Sequence, residues 1–494
     1  MNLRCSFPLL TLLPGMLMGG GRSEIPTFHE DIAPVVHARC TACHRPDGGA
    51  PFDLIDYRDV SRRALTILQV IEDGYMPPWH AVGGDVPLLD DRRLSKTEKD
   101  IFRTWVEAGK EEGFPKDESA PPEFPSGWIL GEPDLVLEMS DGYHLPADGP
   151  DIYRSFVLPS SLKKTRYVKA IEFRPSSPEV VHHALFFADS KGNAKKLDDA
   201  DPEPGFEEMI ASRTRGRSLG GWVPGTRPRP LPDGLAYEMQ AGSDLVIQTH
   251  FHLTGKPEME RSKIGLYFTK KPKARFTTIQ LPPFFGAFSG IDLAPGEDNA
   301  EIRDEFELPV AVEAFGIQPH AHYRGKSLRL TAIQPDGSEK ILLNIPEWDM
   351  DWQEEYRFAK PVHLSRGTRL LSEISWDNSE DSSDNPIVPP VRVRWGFESL
   401  DEMGSIDLFV VAKGKDGVSD AKALQTLQQA KREHFQWIAG GHLIGPDKLA
   451  TFGEARDLAI RRWDEDGDGF LDADERKRAR SVSGIDSLQS SSNR

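Results

Sequence analysis

Three cysteines in 494 residues, two of them at Cys40 and Cys43, leave this chain no disulfide framework to fold around. The third, Cys5, lies in a stretch that reads as a secretory signal over residues 1–21. Arg4 precedes an apolar run from Phe7 to Met18, and Gly19, Gly20 and Gly21 follow. Pro8 and Pro14 and the short run disfavour a membrane helix; a disordered leader is the alternative reading. Cys5 stands too near the start for a lipoprotein cleavage site. The expectation is therefore a soluble exported protein, periplasmic or extracellular, whose fold rests on its own cores or on metals.

The two remaining cysteines form Cys40-Thr41-Ala42-Cys43-His44, the C-x-x-C-H pattern of covalent haem attachment. Two thiols bond the haem vinyls and the adjacent histidine becomes an axial iron ligand. The competing readings are a redox dithiol or half of a zinc site, but no second pair at suitable spacing follows. A second axial ligand is expected downstream, in Asp73-Gly74-Tyr75-Met76-Pro77-Pro78-Trp79-His80. Met76, on a proline-stiffened loop, is the candidate, with His80 as competitor and a core methionine as the bland alternative. A filled sixth position suits electron transfer, and methionine raises the potential. Helix-like apolar spacing runs over Ile32 to Ala38, Val60 to Glu72 and Ser95 to Ala108. Ser95-Lys96-Thr97-Glu98 forms a candidate capping box. Helix, haem loop, helix, methionine loop, helix resembles a small class I c-type cytochrome over residues 26–113.

The chain is long enough for about three domains. With 43 Gly and 39 Pro, it favours turn-rich β architecture over helical bundles. A net charge of −18 argues against a nucleic-acid partner, and no apolar run reaches the ~18 residues a membrane span requires. Pro115, Pro121, Pro122 and Pro125 mark a semi-rigid spacer over 114–127. Alternating runs then take over: Tyr167 to Phe173, Leu245 to Leu253, Ile264 to Thr269, Leu328 to Ala332, Leu370 to Trp376, Val391 to Trp395 and Ile406 to Val411. Period-2 strands over so long a region predict two β-sandwiches, at 128–285 and 286–413.

Within those strands the histidines come in pairs: His182-His183, His250-Phe251-His252 and His320-Ala321-His322. Residues i and i+2 of a strand share a face, about 6.5 Å apart, so each H-x-H pair can chelate one metal. An isolated pair is better read as a hydrogen-bonded core pair; three pairs on successive β segments point to metal. Imidazole suits copper, zinc, iron and nickel alike. On a regular strand His182 and His183 point to opposite faces, so joint ligation requires a bulge or twist.

The order of these motifs resembles the type II copper, ascorbate-dependent monooxygenases, the family of peptidylglycine α-hydroxylating and dopamine β-monooxygenases, over residues 128–413. The resemblance implies two jelly-roll-like domains facing across a cleft, one copper in each. It implies that His182, His183 and His250 hold an electron-supplying copper and that His320 and His322 hold an oxygen-binding one. The family completes the second site with a methionine in an acidic segment. Here that segment is Ser399-Leu400-Asp401-Glu402-Met403, and thioether favours Cu(I); a plain core methionine is the alternative. Two departures stand out. The family's disulfides cannot form, and the positions that anchor a peptide carboxylate are Gln318 and Asp407, so peptide amidation is not expected. His252 has no clear family role and is left as an outer partner or alternative ligand.

Near the C-terminus, Asp464, Asp466, Asp468, Phe470, Asp472 and Glu475 occupy the liganding positions of a twelve-residue EF-hand loop, with Gly469 at its turn. One calcium ion is expected there, bracing structure or a partner contact. The expected fold class is thus multidomain: a small all-α cytochrome c-like domain, two β-sandwich copper domains and a helical EF-hand segment. A connecting helix over 414–445 leads to the hand at 446–482 and a disordered tail at 483–494. The expected cofactors are two coppers, one haem c and one calcium. The expected function is an exported copper monooxygenase that uses O2 to hydroxylate a C–H bond of a small organic substrate, with electrons entering through the haem. A redox protein or reductant is the expected partner. The alternative is a non-catalytic haem and copper protein for electron transfer or copper handling.

Overall fold

The computed structural model describes residues 25–46, 48, 50–115, 120–124, 127–207, 217–396, 398–415, 417–438 and 467. They form two compact units. Met1–Thr41, Leu54–Met76 and Leu94–Pro122 belong to the first, and Ala42–Asp53, Pro77–Arg93 and Glu123–Arg494 to the second.

The first unit is helical. After a short π-helical turn at Phe28–Ile32 come α1 (Ala33–Arg39), α2 (Tyr57–Ser61), α3 (Ala64–Glu72) and α4 (Lys96–Glu107). Helix α3 buries Ala64, Ile67 and Ile71, and α4 buries Phe102 and Trp105, so each turns one apolar stripe inward. The capping box on α4 is present. Glu98 N–H donates to Ser95 Oγ (3.2 Å), and Ser95 N–H donates to the Glu98 carboxylate (2.6 Å).

The second unit is built on a recurrent element, the four-stranded antiparallel sheet, which occurs four times among the described residues. Numbered in chain order, one sheet runs β1 (Leu135–Glu138), β10 (Lys263–Thr269), β4 (Arg166–Arg174), β7 (Tyr237–Met239). A second runs β3 (Ile152–Leu158), β8 (Asp244–Phe251), β5 (Val181–Asp189), β6 (Arg217–Trp222). Their facing side chains, among them Val168, Leu266, Ala184 and Ile247, share one core. The third sheet is β11 (Thr277–Leu281), β20 (Gly404–Lys413), β14 (Ala311–Ala321), β17 (Tyr356–Leu364). The fourth is β13 (Ala300–Glu307), β18 (Arg369–Trp376), β15 (Gly325–Ile333), β16 (Glu339–Ile345). These two share another core around Ile317, Leu408, Leu330 and Trp376. Two-stranded pieces complete the set: β2 (Tyr143–Leu145) with β9 (Glu258–Glu260), and β12 (Asp292–Leu293) with β19 (Val393–Arg394). The short α5 (Asn193–Asp198) lies between β5 and β6. Helix α6 (Asp420–Ile438) seats Ala423, Leu424 and Leu427 in the second core.

This corrects the fold class expected from sequence. Strand outweighs helix among the described residues, and residues 26–113 do not make a self-contained all-α cytochrome-like domain. Segments 42–53 and 77–93 belong instead to the β unit. The second of them is tied down by backbone hydrogen bonds from Val82 to Asn344, Asp85 to Ile341 and Leu89 to Arg357. The two β regions keep separate cores, one from β1–β10 and one from β11–β20, within one compact unit. Apart from Gly467, the EF-hand segment lies outside the described residues. The strand expected over Val391–Trp395 shrinks to the two residues of β19. No helix among the described residues is long and apolar enough to cross a membrane.

Candidate metal centre

Three imidazoles converge where β5 and β8 pair. His183 stands opposite His250, and the register shifts between Val181 and His183. That bulge makes His182 the extra residue of its strand and removes the alternation that would point it away. One nitrogen from each of His182, His183 and His250 lies within 4.8 Å of the others. The Nδ1 atoms of His182 and His183 are 3.2 Å apart, and His250 Nδ1 is buried without a hydrogen-bond partner.

The remaining nitrogens explain this orientation. His182 Nε2 donates to Asp351 (3.0 Å) and His250 Nε2 donates to Asp151 (2.7 Å). A carboxylate behind an imidazole fixes its tautomer and turns the other nitrogen's lone pair toward the metal position. Tyr153, opposite His250 on β3, stacks on that ring at 4.1 Å and 13°. Burial holds the imidazoles of His183 and His250 below the usual histidine range, so they are neutral and ready to ligate. His252 does not join the trio; it is exposed and donates to the same Asp151 (3.0 Å).

The second set lies at the end of β14. His320 is opposite Ser405 on β20, and Met403, 2% exposed, immediately precedes that strand. The rings of His320 and His322 stand nearly perpendicular, 5.4 Å apart. His320 Nδ1 pairs with Gln353 Oε1 (2.5 Å), and His322 Nδ1 donates to the Asp401 carbonyl (3.1 Å). Both rings are thus held through Nδ1, leaving Nε2 as the ligating atom of each. Burial pushes His320 down to about 4, and burial with His320 beside it pushes His322 down to about 3. Glu402, fully buried, accepts from the backbone N–H of His322 (3.2 Å) and Arg324 (2.7 Å) and from Trp376 Nε1 (3.0 Å). It thereby fixes Met403's neighbour to the histidine strand. His183 and His250 of the first set and His320, His322 and Met403 of the second line one cavity of about 470 Å3, together with Tyr153, Gln248 and Asp407.

The haem residues are distributed differently. Cys40 and Met76 fall in the helical unit, Cys43 and His44 in the β unit. Neither cysteine is in a disulfide. His44 Nδ1 donates to the Phe52 carbonyl (3.0 Å), the bond that orients a ligating imidazole. Cys43 packs on Gly225, where φ is +83° and a Cβ would come within 2.7 Å of the sulfur, so only glycine fits. His80 sits on the 77–93 segment, its Nε2 buried without a partner. By donor chemistry the first set, three imidazoles, suits a metal ion, and the second offers two imidazoles and a thioether on the same cavity. Asp464, Asp466, Asp468, Phe470, Asp472 and Glu475 lie outside the described residues, as does the signal segment.

Sequence reasoning missed Asp151, Asp351, Gln353, Tyr153 and Glu402. Only Glu402 carried a signal, by its place beside Met403.

No protein-family model matches the chain, and no curated protein does. Among solved structures, the major capsid protein P2 of bacteriophage PM2 is 11% identical, with 57% of this chain and 99% of that one covered and a TM-score of 0.24. The glycosylasparaginase PNGase F of Flavobacterium meningosepticum is 10% identical, with 56% and 94% covered and a TM-score of 0.26. Likeness at that level places the chain in no family.

Proposed function

We propose that this chain is an exported copper monooxygenase of the type II copper, ascorbate-dependent kind, hydroxylating a C–H bond of a small organic substrate with O2. The observation that carries the reading is that two unlike donor sets, His182/His183/His250 and His320/His322/Met403, meet at one cavity, which every one of these residues but His182 lines. An all-imidazole set suits cycling between oxidation states, and a thioether-bearing set favours Cu(I). Copper in these sets would supply O2 activation at the second and an electron from the first.

The chain's own residues do the rest. Asp151 and Asp351 hold the protons of His250 and His182 away from the first site. Gln353 and the Asp401 carbonyl do the same at the second. Phe285, 5.2 Å from the His320 ring, excludes water beside it. Haem c on Cys40, Cys43 and His44, with Met76 as second ligand, is the proposed electron entry. The contact of Cys43 with Gly225 supports it, because the adjoining Thr226 and Arg227 line the cavity. Calcium is proposed at Asp464, Asp466, Asp468, Phe470, Asp472 and Glu475.

The test is O2 uptake by the copper-loaded full chain, with a reductant, against a panel of small organic substrates. Uptake that depends on one substrate and is lost in His320→Ala and Met403→Ala supports the reading. Redox-active copper without substrate-dependent uptake would leave a non-catalytic electron-transfer or copper-handling protein.

A further inference from the structure

The cavity has a second end, away from the donor sets, and that end is basic. Arg357 on β17 stands opposite Gly316 on β14, four residues before His320 on the same strand face and about 13 Å from it along the strand. Gly316 has no side chain to fill the space, and a Cβ there would come within 3.3 Å of Arg357 Cδ. Arg229 and Arg227, on the loop between β6 and β7, line the cavity with Arg357, as do Lys169 of β4 and Arg92. The Leu231 N–H donates to the Lys169 carbonyl (2.7 Å) and so ties β4 to that loop.

Three acids of this wall answer those five bases. Glu354 pairs with Arg92, Glu355 with Arg357 and Asp90 with Arg229, which leaves Lys169 and Arg227 as surplus cations among the described residues. The pairing at Arg357 is itself incomplete. Its Nε donates to Glu355 (2.6 Å) and the guanidinium hydrogen-bonds the Tyr237 hydroxyl, yet its Nη1 is buried with no partner. Burial, and the like charge of Arg357 beside it, hold the Arg229 guanidinium below the usual arginine range. A buried charged donor left unpaired is costly, and an anion between two guanidiniums relieves both the missing bond and the repulsion. A cationic ligand would add to the surplus, and a neutral one would leave it in place. A carboxylate supplies a single negative charge and two oxygens in the geometry of the guanidinium fork. A phosphate dianion would bring a second charge against Glu354, Glu355 and Asp90.

We infer that Arg357 and Arg229, with Lys169 and Arg227 beside them, form a carboxylate-binding site at the basic end of the cavity. Arg357 Nη1 donates to one carboxylate oxygen, and the neighbouring cations hold the charge. Two groups carry such a carboxylate. One is an acidic substrate, whose chain then runs toward His320. The other is a propionate of the haem proposed at Cys43, a residue that packs on Gly225, two positions from Arg227. The first source rests on the copper reading for what happens to the substrate, though not for the binding itself.

Calorimetry on the full chain and on its Cys43→Ala variant, which lacks one haem thioether, decides it, with hexanoate, hexanamide, hexylammonium and hexyl phosphate as probes. Hexanoate should bind about tenfold tighter than each of the others, the worth of one charge-assisted hydrogen bond. A preference seen in both chains assigns the site to an acidic substrate, and one seen only in Cys43→Ala assigns it to a haem propionate. In the chain that shows it, Arg357→Met should abolish the preference, and Arg357→Lys, which keeps the charge without the fork, should retain part of it. Because Arg357→Met also strips Glu355 of its partner, Lys169→Met is the independent check. Lys169 is exposed, so this variant should keep its melting temperature and bind hexanoate several-fold more weakly. Equal or tighter binding of another probe in both chains, or unchanged hexanoate affinity in either Arg357→Met or Lys169→Met, overturns the assignment. Copper content measured on the same samples separates the two claims. Carboxylate preference without copper defeats only the copper reading, and copper without carboxylate preference in either chain defeats only this one.

Discussion

Each imidazole in the two donor sets has a second nitrogen, and its partner decides what the first can do. Asp351 reaches His182 from the loop after β16, far in sequence from the first donor set. Outer partners of this kind are typically worth 10–100-fold in metal affinity. Asp351→Ala should therefore weaken the first copper by roughly that factor while leaving the second unchanged, as read by competitive chelator titration. Loss at both sites would mean that the loop, not the hydrogen bond, was disturbed. A second prediction belongs to Asp407. Burial pushes its carboxyl up to about 7, against roughly 4 in an unfolded chain. Between those values the folded chain holds a proton that the unfolded chain lacks, so stability falls as pH rises through the window. Asp407→Asn should raise the melting temperature at pH 8 and change it little at pH 5. An equal gain at both would locate the effect elsewhere.

At the scale of elements, local pattern was a good guide wherever one face is buried and the other is wet. The Ser95 capping box and the stripe of Phe102 and Trp105 were legible because both are decided within one helical turn. Ser95→Ala should cost about 1 kcal/mol in chemical denaturation; no change would mean the cap is idle. Tyr167–Phe173 and Ile406–Val411 were legible as strands for the same reason, and both lie inside longer ones. What sequence could not supply is pairing. That His183 faces His250 across a bulge, or that Asp407 stands between Gln280 and Gln318, depends on register between strands tens to hundreds of residues apart. The 77–93 segment shows the limit most plainly. Its prolines read as a haem loop of a separate domain, whereas its backbone hydrogen bonds to Asn344 and Ile341 place it in the β unit.

For the whole molecule the question is how electrons reach the cavity. On the proposed reading the haem is held in part by Cys43, which packs beside a loop that lines the cavity. A covalently held donor acts at high effective concentration without a strong docking surface. Pre-reduced haem should therefore reoxidise in air faster with copper and substrate present than with either missing, and His250→Ala should slow this without altering the haem spectrum. Equal turnover with ascorbate after removal of residues 1–127 would give the fusion another purpose.

Counting copper per chain by mass spectrometry decides whether the chain holds two coppers in two unlike sites. The copper-replete full chain should carry about two, His183→Ala and His320→Ala about one each, and the double variant none, at the affinities expected of imidazole sets. Stoichiometric zinc in place of copper, or loss of both metals from either single variant, would contradict it.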